Sequence, residues 1–331
     1  MPKTTSKTNV VKGVLYIFFL GVCLSFGAIA GWIGNSEVGR ALVGTVLAPK
    51  SPQKVFQDSH DNGKSLTVLI LGCDEDLYYR GTQVLNAHAR SDMMMVARLD
   101  FDRNLVGAVS IPRDTLCRLP GYASQKINAY NKIGGPELAK AAVEEILPGV
   151  HIDRVVTLNF EAFQEVIDML GGVDVYVPRD MKYTDTAAKL YIDLKKGRQH
   201  LDGYDAMCFV RWRKNQHGGG DSDFERQKRQ KDLMLALKQQ MVRNWTQGMN
   251  VLDKTVEISG NAFDAQEVAT LMMFMKSLGD SSEKIRMGQI PVNDIEGTYD
   301  LAVDNQKLQS TLEQYLVVPS DSIPSMPKED Q

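Results

Sequence analysis

The chain has 331 residues, 43% hydrophobic and 24% charged, with 38 basic against 41 acidic side chains. That balance supports a buried core of ordinary size and excludes wholesale disorder. The slight negative charge also excludes the broad positive field on which nonspecific nucleic-acid binding depends.

Residues 1–33 carry Lys3, Lys7 and Lys12 and no acid, so the rest of the chain is more acidic still and any anion site in it must be local. The run GVLYIFFLGVCLSFGAIAGWI (13–33) is 21 residues without a charge. As a helix it would reach about 31 Å, the thickness of a bilayer core. It is expected to be a transmembrane anchor behind a cytoplasmic tail (1–12), with the lysines placing the N-terminus inside and the body outside. A cleaved signal peptide is the rival, because Ala28-Ile29-Ala30 resembles a small-x-small cleavage pattern. Residues 34–64 are polar and read as a stalk.

A domain is expected over 65–316. SLTVLILG (65–72), DMMMVARL (92–99) and LVGAVSIP (105–112) read as strands. GPELAKAAVEEIL (135–147) reads as a helix opened by proline. RVVTLNF (154–160) is a strand, EAFQEVIDML (161–170) a helix and VDVYV (173–177) a strand. Helices follow over 201–213 and 223–242, then helix, strand and helix over 264–278, 285–290 and 304–316. The tail 317–331 has three prolines and no periodicity and reads as loose. Interleaved helices and apolar strands predict an α/β fold, with a central, mostly buried sheet flanked by helices. Of the four cysteines, Cys23 lies in the apolar run. Cys73, Cys117 and Cys208 are odd in number and lack CxxC spacing, which excludes a disulfide framework and a zinc site. They read as small core residues or as one pair with a remainder.

Chemistry concentrates in FVRWRKNQHGGGDSDFERQKRQ (209–230), where six Arg or Lys side chains surround a glycine triplet. With Asp223 as N-cap, the next helix places Arg226, Gln230, Leu233, Leu237 and Met241 on one face. An inward arginine at the positive end of a helix calls for an anion. Arg211 and Arg213 lie just upstream. RSD (90–92) opens one strand and SIPRDT (110–115) ends the next, so Arg113 and Asp114 sit just past a strand C-terminus, where α/β proteins build sites. If the first two strands are antiparallel neighbours, Asp74 and Asp92 meet at one edge. Paired carboxylates there suit a hard cation such as Mg²⁺. Carboxylates holding Mg²⁺ beside arginines suit pyrophosphate chemistry. Nine methionines also suit an irregular apolar groove or ordinary core filling (Met93, Met94, Met95, Met207, Met234, Met241, Met272, Met273 and Met275).

RSDMMMVARLD, SIPRDT, KINAYNKIGGPELA, NFEAFQEVIDMLGGVDVYVP, GRQHLDGYDAMCFVRWR and DFERQKRQ resemble the LytR-CpsA-Psr family in order and spacing, across about 65–245 with a weaker echo to about 316. The resemblance implies transfer of a glycan phosphate from a polyprenyl-pyrophosphate carrier to peptidoglycan, on a mixed α/β fold with an apolar groove for the lipid. Mapped onto this chain, it implies Asp74 and Asp92 as magnesium carboxylates, with Arg90 beside them. Arg113, Arg211, Arg213, Arg226 and Gln230 become pyrophosphate ligands, and Asp223 the acidic position of the last motif. The catalytic set is then Arg90, Asp92, Arg113 and Asp223, with Asp92 or Asp74 as candidate base. Arg229 lies in the same motif with its role open, and His217 reads as a solvated loop residue. Implied partners are the lipid-linked glycan, peptidoglycan and membrane lipid, with no nucleic acid. A non-catalytic precursor-binding protein acting in envelope regulation, or a polyprenyl pyrophosphatase, would use the same groups.

Overall fold

The structure, a computed structural model, describes residues 51–73, 78–79, 82–83, 90–186, 190–215, 218–221, 223–243, 262–279 and 282–316. The expected cytoplasmic tail, the anchor at 13–33, the first part of the stalk and the tail at 317–331 lie outside the described residues. Among those described, no helix is long and apolar enough to cross a membrane.

The chain begins with helix α1 (Pro52–Val55), strand β1 (Ser65–Cys73) and the two-residue strands β2 (Tyr78–Tyr79) and β3 (Thr82–Gln83). Strands β4 (Ser91–Asp100), β5 (Leu105–Ile111), β6 (Leu116–Cys117) and β7 (Gln125–Lys126) precede helix α2 (Asn128–Ile146). Next come β8 (Arg154–Asn159), α3 (Phe160–Met169), β9 (Val173–Val177), β10 (Met181–Asp185), β11 (Leu190–Leu194) and β12 (Gly197–Leu201). Helices α4 (Gly203–Arg211), α5 (Asp223–Arg243) and α6 (Ala265–Ser277) follow. The last elements are β13 (Ile285–Gln289), β14 (Val292–Asp294), β15 (Leu301–Val303) and α7 (Asn305–Thr311), which runs into a π turn at Leu312–Leu316.

A five-stranded sheet in the order β13-β5-β4-β1-β8 forms the centre. β4 is antiparallel to both its neighbours, β1 and β5, whereas β8 pairs parallel with β1 and β13 parallel with β5. Four strands therefore run one way and β4 the other. The last residues of β1, β5, β8 and β13 share an edge with the first residues of β4.

Period-2 alternation along β1 divides its apolar side chains between two cores. Leu69, Leu71 and Cys73 join a core with α2 and the π turn, while Leu66 and Val68 join one with Phe101 and α6. A third core unites α3, α4 and β9–β12 with Leu233 of α5. α5 is wedged between cores, with Leu233 in one and Leu235 against another.

The α/β reading holds, with one correction. Residues 51–64, expected as stalk, pack on the domain. Phe56 is fully buried and stacks on Phe101 at 5.4 Å, and Arg98 and Arg154 bind Asp61 and Asp58, each at 2.5 Å. Burial tends to raise the Asp61 carboxyl, but the Ser65 hydrogen bond and Arg98 outweigh it and hold the group below the usual range. The helix expected over 135–147 is present: α2 joins two helices across a kink at the non-helical Gly134 and Gly135, and the second opens at Pro136. Of the two readings of the methionines, ordinary core filling fits the described ones: Met94, Met207 and Met272 each occupy a different core, and Met93 and Met234 are exposed. Cys73, Cys117 and Cys208 are buried free thiols, as core filling requires.

Candidate functional site

The common sheet edge assembles the first part of the site. Gly72 of β1 faces Met93 and Cys73 faces Ser91, with the register shifting between Gly72 and Cys73, so Asp92 lies at the irregularity. The expected antiparallel neighbours are therefore present. Asp74 lies outside the described residues, and Asp92 is described by its backbone alone. Arg90 is exposed just ahead of β4, and Ser91 beneath it is fully buried with no protein hydrogen-bond partner for its hydroxyl. Across the next ladder, Met94 faces Ile111, and Arg113 follows two residues after β5 ends. At about 4.8 Å per strand, the ends of β5 and β8 lie roughly 14 Å apart, enough for an extended anionic ligand.

Arg113 sits in an ion-pair network. Its Nε lies 3.6 Å from Asp114, whose other carboxylate oxygen accepts from Lys126 Nζ at 2.6 Å, and Lys126 also reaches Asp300 at 3.4 Å. Burial pushes the Asp114 carboxyl up, but the Lys126 hydrogen bond and charge, with Arg113, outweigh it and leave it below the ordinary range. The Asp114 hydrogen bond chiefly raises the Lys126 ammonium, with Asp300 adding to it. Asn128 N–H donates to the Arg113 carbonyl at 3.4 Å and Leu301 N–H to the Asp114 carbonyl at 3.0 Å, tying SIPRDT to KINAY and to β15.

The second part arrives from the helices. α3 starts at the end of β8, capped by Asn159, whose side chain accepts from Ala162 N–H. α4 crosses it closely. A Cβ on Gly203 would meet the Gln164 carbonyl oxygen at 2.2 Å, and Gly203 N–H donates to Asp168 at 2.6 Å. This approach carries Arg211, at the end of α4, to the sheet edge, where its guanidinium lies 4.0 Å from the Phe160 ring centroid.

After α4 the glycine triplet makes a tight hairpin. Gly218 and Gly219 have φ of +104° and +76°, Asn215 N–H donates to the Gly219 carbonyl, and Asp221 N–H donates to the Arg213 carbonyl. The hairpin brings Asp221 back beside the start of α5. The Asp221 side chain is 2% exposed, and its carboxylate lies 2.9 Å from Arg229 Nε in an ion pair without linear hydrogen-bond geometry. Arg229 is equally buried. It donates to the carbonyls of Phe209 and of Trp212, the latter at 2.7 Å, and lies about 5.5 Å from both rings. Arg179, from the loop after β9, reaches Asp221 at 3.3 Å, Glu225 at 2.6 Å and the Gly220 carbonyl at 3.0 Å.

Arg90, Asp92 and Arg113 thus come to one edge by strand topology, and Arg211 joins them through Phe160. Arg213 is exposed at the mouth of the hairpin, and Gln230 is half-buried beside Arg229. Asp223 and Arg226 occupy the first turn of α5, described by backbone alone, and His217 lies outside the described residues. Arg229, whose role the sequence left open, points inward, and its anion is internal. Asp221, Arg179, Lys126 and Phe160 escaped the sequence reading. An acid inside a strongly basic stretch was the available signal for Asp221, but its partner depends on closure of the hairpin. Among the described residues, no group of three His, Cys, Asp or Glu side chains is arranged to hold a metal ion.

The profile of the LytR_cpsA_psr family matches residues 43–316. The polyisoprenyl-teichoic acid–peptidoglycan teichoic acid transferase TagV of Bacillus subtilis is 31% identical over 266 residues, covering 76% of this chain and 65% of TagV. The regulatory protein MsrR of Staphylococcus aureus is 31% identical over 189 residues, 56% of this chain and 52% of MsrR, so the match spans between half and two thirds of these relatives. The crystal structure of B. subtilis TagV superposes with a TM-score of 0.60 at 30% identity, covering 77% of this chain and 98% of that one. B. subtilis YwtF (TagT), solved with bound octaprenyl pyrophosphate lipid, superposes with a TM-score of 0.53 at 26% identity, over 77% and 90% of the two chains. With these motifs on this fold, the chain belongs to the LytR-CpsA-Psr family.

Proposed function

We propose that the protein is a membrane-anchored phosphotransferase that attaches a glycopolymer to peptidoglycan. A sugar hydroxyl of peptidoglycan attacks the glycan-side phosphorus of a polyprenyl-pyrophosphate-linked glycan. A new phosphodiester forms, the bond to the bridging oxygen breaks, polyprenyl phosphate leaves, and the hydroxyl proton passes to a carboxylate, Asp92 or Asp74. The observation that carries the reading is the single sheet edge shared by Arg90, Asp92, Arg113 and, through Phe160, Arg211. The names of relatives support it: TagV is called a teichoic acid transferase, and TagT was solved with a polyprenyl pyrophosphate.

In this reading Arg113, Arg211, Arg213, Arg226 and Gln230 bind the pyrophosphate, and Asp223 belongs with Arg90, Asp92 and Arg113 to the catalytic set. Asp92 and Asp74 would hold Mg²⁺. The only side-chain donors they offer are carboxylate oxygens, which suits a hard cation. Bound there, the ion would offset charge on the phosphoryl oxygens. The segment 13–33 anchors the chain, with the domain outside the membrane.

The name of MsrR favours a second reading, a precursor-binding protein with a regulatory role. The test incubates the full chain with a synthetic polyprenyl-pyrophosphoryl disaccharide and peptidoglycan oligomers, with Mg²⁺ or EDTA, and follows products by mass spectrometry. A glycan-phosphate–peptidoglycan adduct that requires Mg²⁺ is expected. Retained lipid without turnover would favour the binding protein, and free glycan phosphate would favour a pyrophosphatase.

A further inference from the structure

The Asp221 carboxylate belongs to three elements at once. Through Arg229 it ties the second turn of α5 to the last carbonyls of α4, at Phe209 and Trp212. Through Arg179 it ties both to the loop after β9. Those elements carry groups assigned to the pyrophosphate: the cations Arg211 and Arg213 at or just past the end of α4 and Arg226 in the first turn of α5, with the Gln230 amide farther along α5.

Arg229 differs from these in kind. Its side chain is 2% exposed, and its guanidinium is occupied by one carboxylate and two carbonyls. It also lies at the negative end of the α4 dipole, where a cation is favoured without any ligand. A buried guanidinium so occupied has no face left for a phosphate.

We propose that Asp221 is a positioning residue. By neutralising Arg229 and holding Arg179, it fixes the end of α4 against the start of α5, setting the distance between the two arginine groups that clamp the pyrophosphate. Arg179 extends the same device outward, because its side chain is 40% exposed and bridges Asp221 to Glu225 in the first turn of α5. The proposal rests on the pyrophosphate reading above and deepens it, assigning Arg229 to the scaffold and Asp221 and Arg179 to alignment.

The experiment measures binding of octaprenyl pyrophosphate, and kcat and KM for transfer, using the full chain and its Arg113→Ala, Asp221→Asn, Asp221→Glu and Arg179→Gln variants. Near-UV circular dichroism confirms that each is folded at the assay temperature. Misalignment of a clamp weakens binding more than a saturated rate, so Asp221→Asn should raise Kd and KM on the order of tenfold and Arg179→Gln about threefold, with kcat changing less. Asp221→Glu, which keeps the charge, should recover part of the loss. Should Asp221→Asn fail to fold, Arg179→Gln decides the matter, since its exposed side chain leaves the core untouched. Wild-type Kd and KM in the folded variants, alongside lost binding in Arg113→Ala, would overturn the alignment role. Unchanged binding in Arg113→Ala would instead overturn the pyrophosphate reading beneath it.

Discussion

Two ion-pair clusters stand within this site, built from the same chemical groups and placed in different surroundings. Arg113, Asp114, Lys126 and Asp300 form the first, with side chains 28–38% exposed. Asp221 and Arg229 form the second, both side chains 2% exposed. In a half-exposed network water screens each pair, so the interactions are worth little and can be exchanged for a ligand. In a buried pair each charge depends on the other, and removing one leaves the other stranded. The difference teaches that clustered arginines do not all await a substrate. Burial separates those available to one from those that hold the walls in place.

Four experiments sharpen or break that contrast. Arg229→Met leaves Asp221 buried with only Arg179 to face it, and should cost about 3–5 kcal/mol in chemical denaturation, with activity falling as the fold loosens. A loss near 0.5 kcal/mol would mean that the pair is not scaffold. Arg113→Ala should behave in the opposite way. We expect transfer to drop on the order of a hundredfold while unfolding changes by no more than about 0.5 kcal/mol.

Asp114→Asn is expected to cost under about 1 kcal/mol at neutral pH. The folded-state pKa of Asp114 is depressed, so its stabilisation is present above the unfolded value and is lost as the pH falls through the folded one. The gap between wild type and variant should therefore close under acid, as read from denaturant midpoints across pH; a constant gap would contradict the ion-pair account. The smallest effect is read by thiols. Burial pushes both Cys117 and Cys208 up to about 11, so neither should be alkylated by iodoacetamide at neutral pH in the native protein. Cys208 lies in α4 and Cys117 just beyond the Arg113 loop. Arg229→Met should speed labelling of Cys208 more than Cys117, and Asp114→Asn the reverse, in peptide mass spectra.

The sheet that carries the site was largely legible from sequence. β1, β5 and the MMMVA stretch of β4 are near-continuous apolar runs because both faces of the sheet are covered, and such runs survive any tertiary arrangement. Arg113 was legible as a site residue because it stands just past a strand end. β10, β11 and β12 were not read as strands: each is a five-residue segment in a two-stranded pairing, and the alternation of MKYTD or GRQHL is too short to separate from loop. Arg229 was visible as a member of a motif, but its burial was not. Its partners Asp221, Phe209 and Trp212 are brought to it by a hairpin whose closure depends on positive φ at Gly218 and Gly219. The packing of Phe56 was hidden by the polar residues around it, which bind Arg98 and Arg154 rather than water alone.

The central claim is that the sheet edge transfers a phosphoryl-linked glycan to a sugar hydroxyl, and the fate of the two phosphates tests it most directly. With the full chain, Mg²⁺, a polyprenyl-pyrophosphoryl disaccharide and peptidoglycan oligomers, mass spectrometry should find one phosphate in the adduct for each polyprenyl monophosphate released, and neither product with Arg113→Ala. Release of intact polyprenyl pyrophosphate with a phosphate-free adduct, or polyprenyl monophosphate with only free glycan phosphate, would contradict the account.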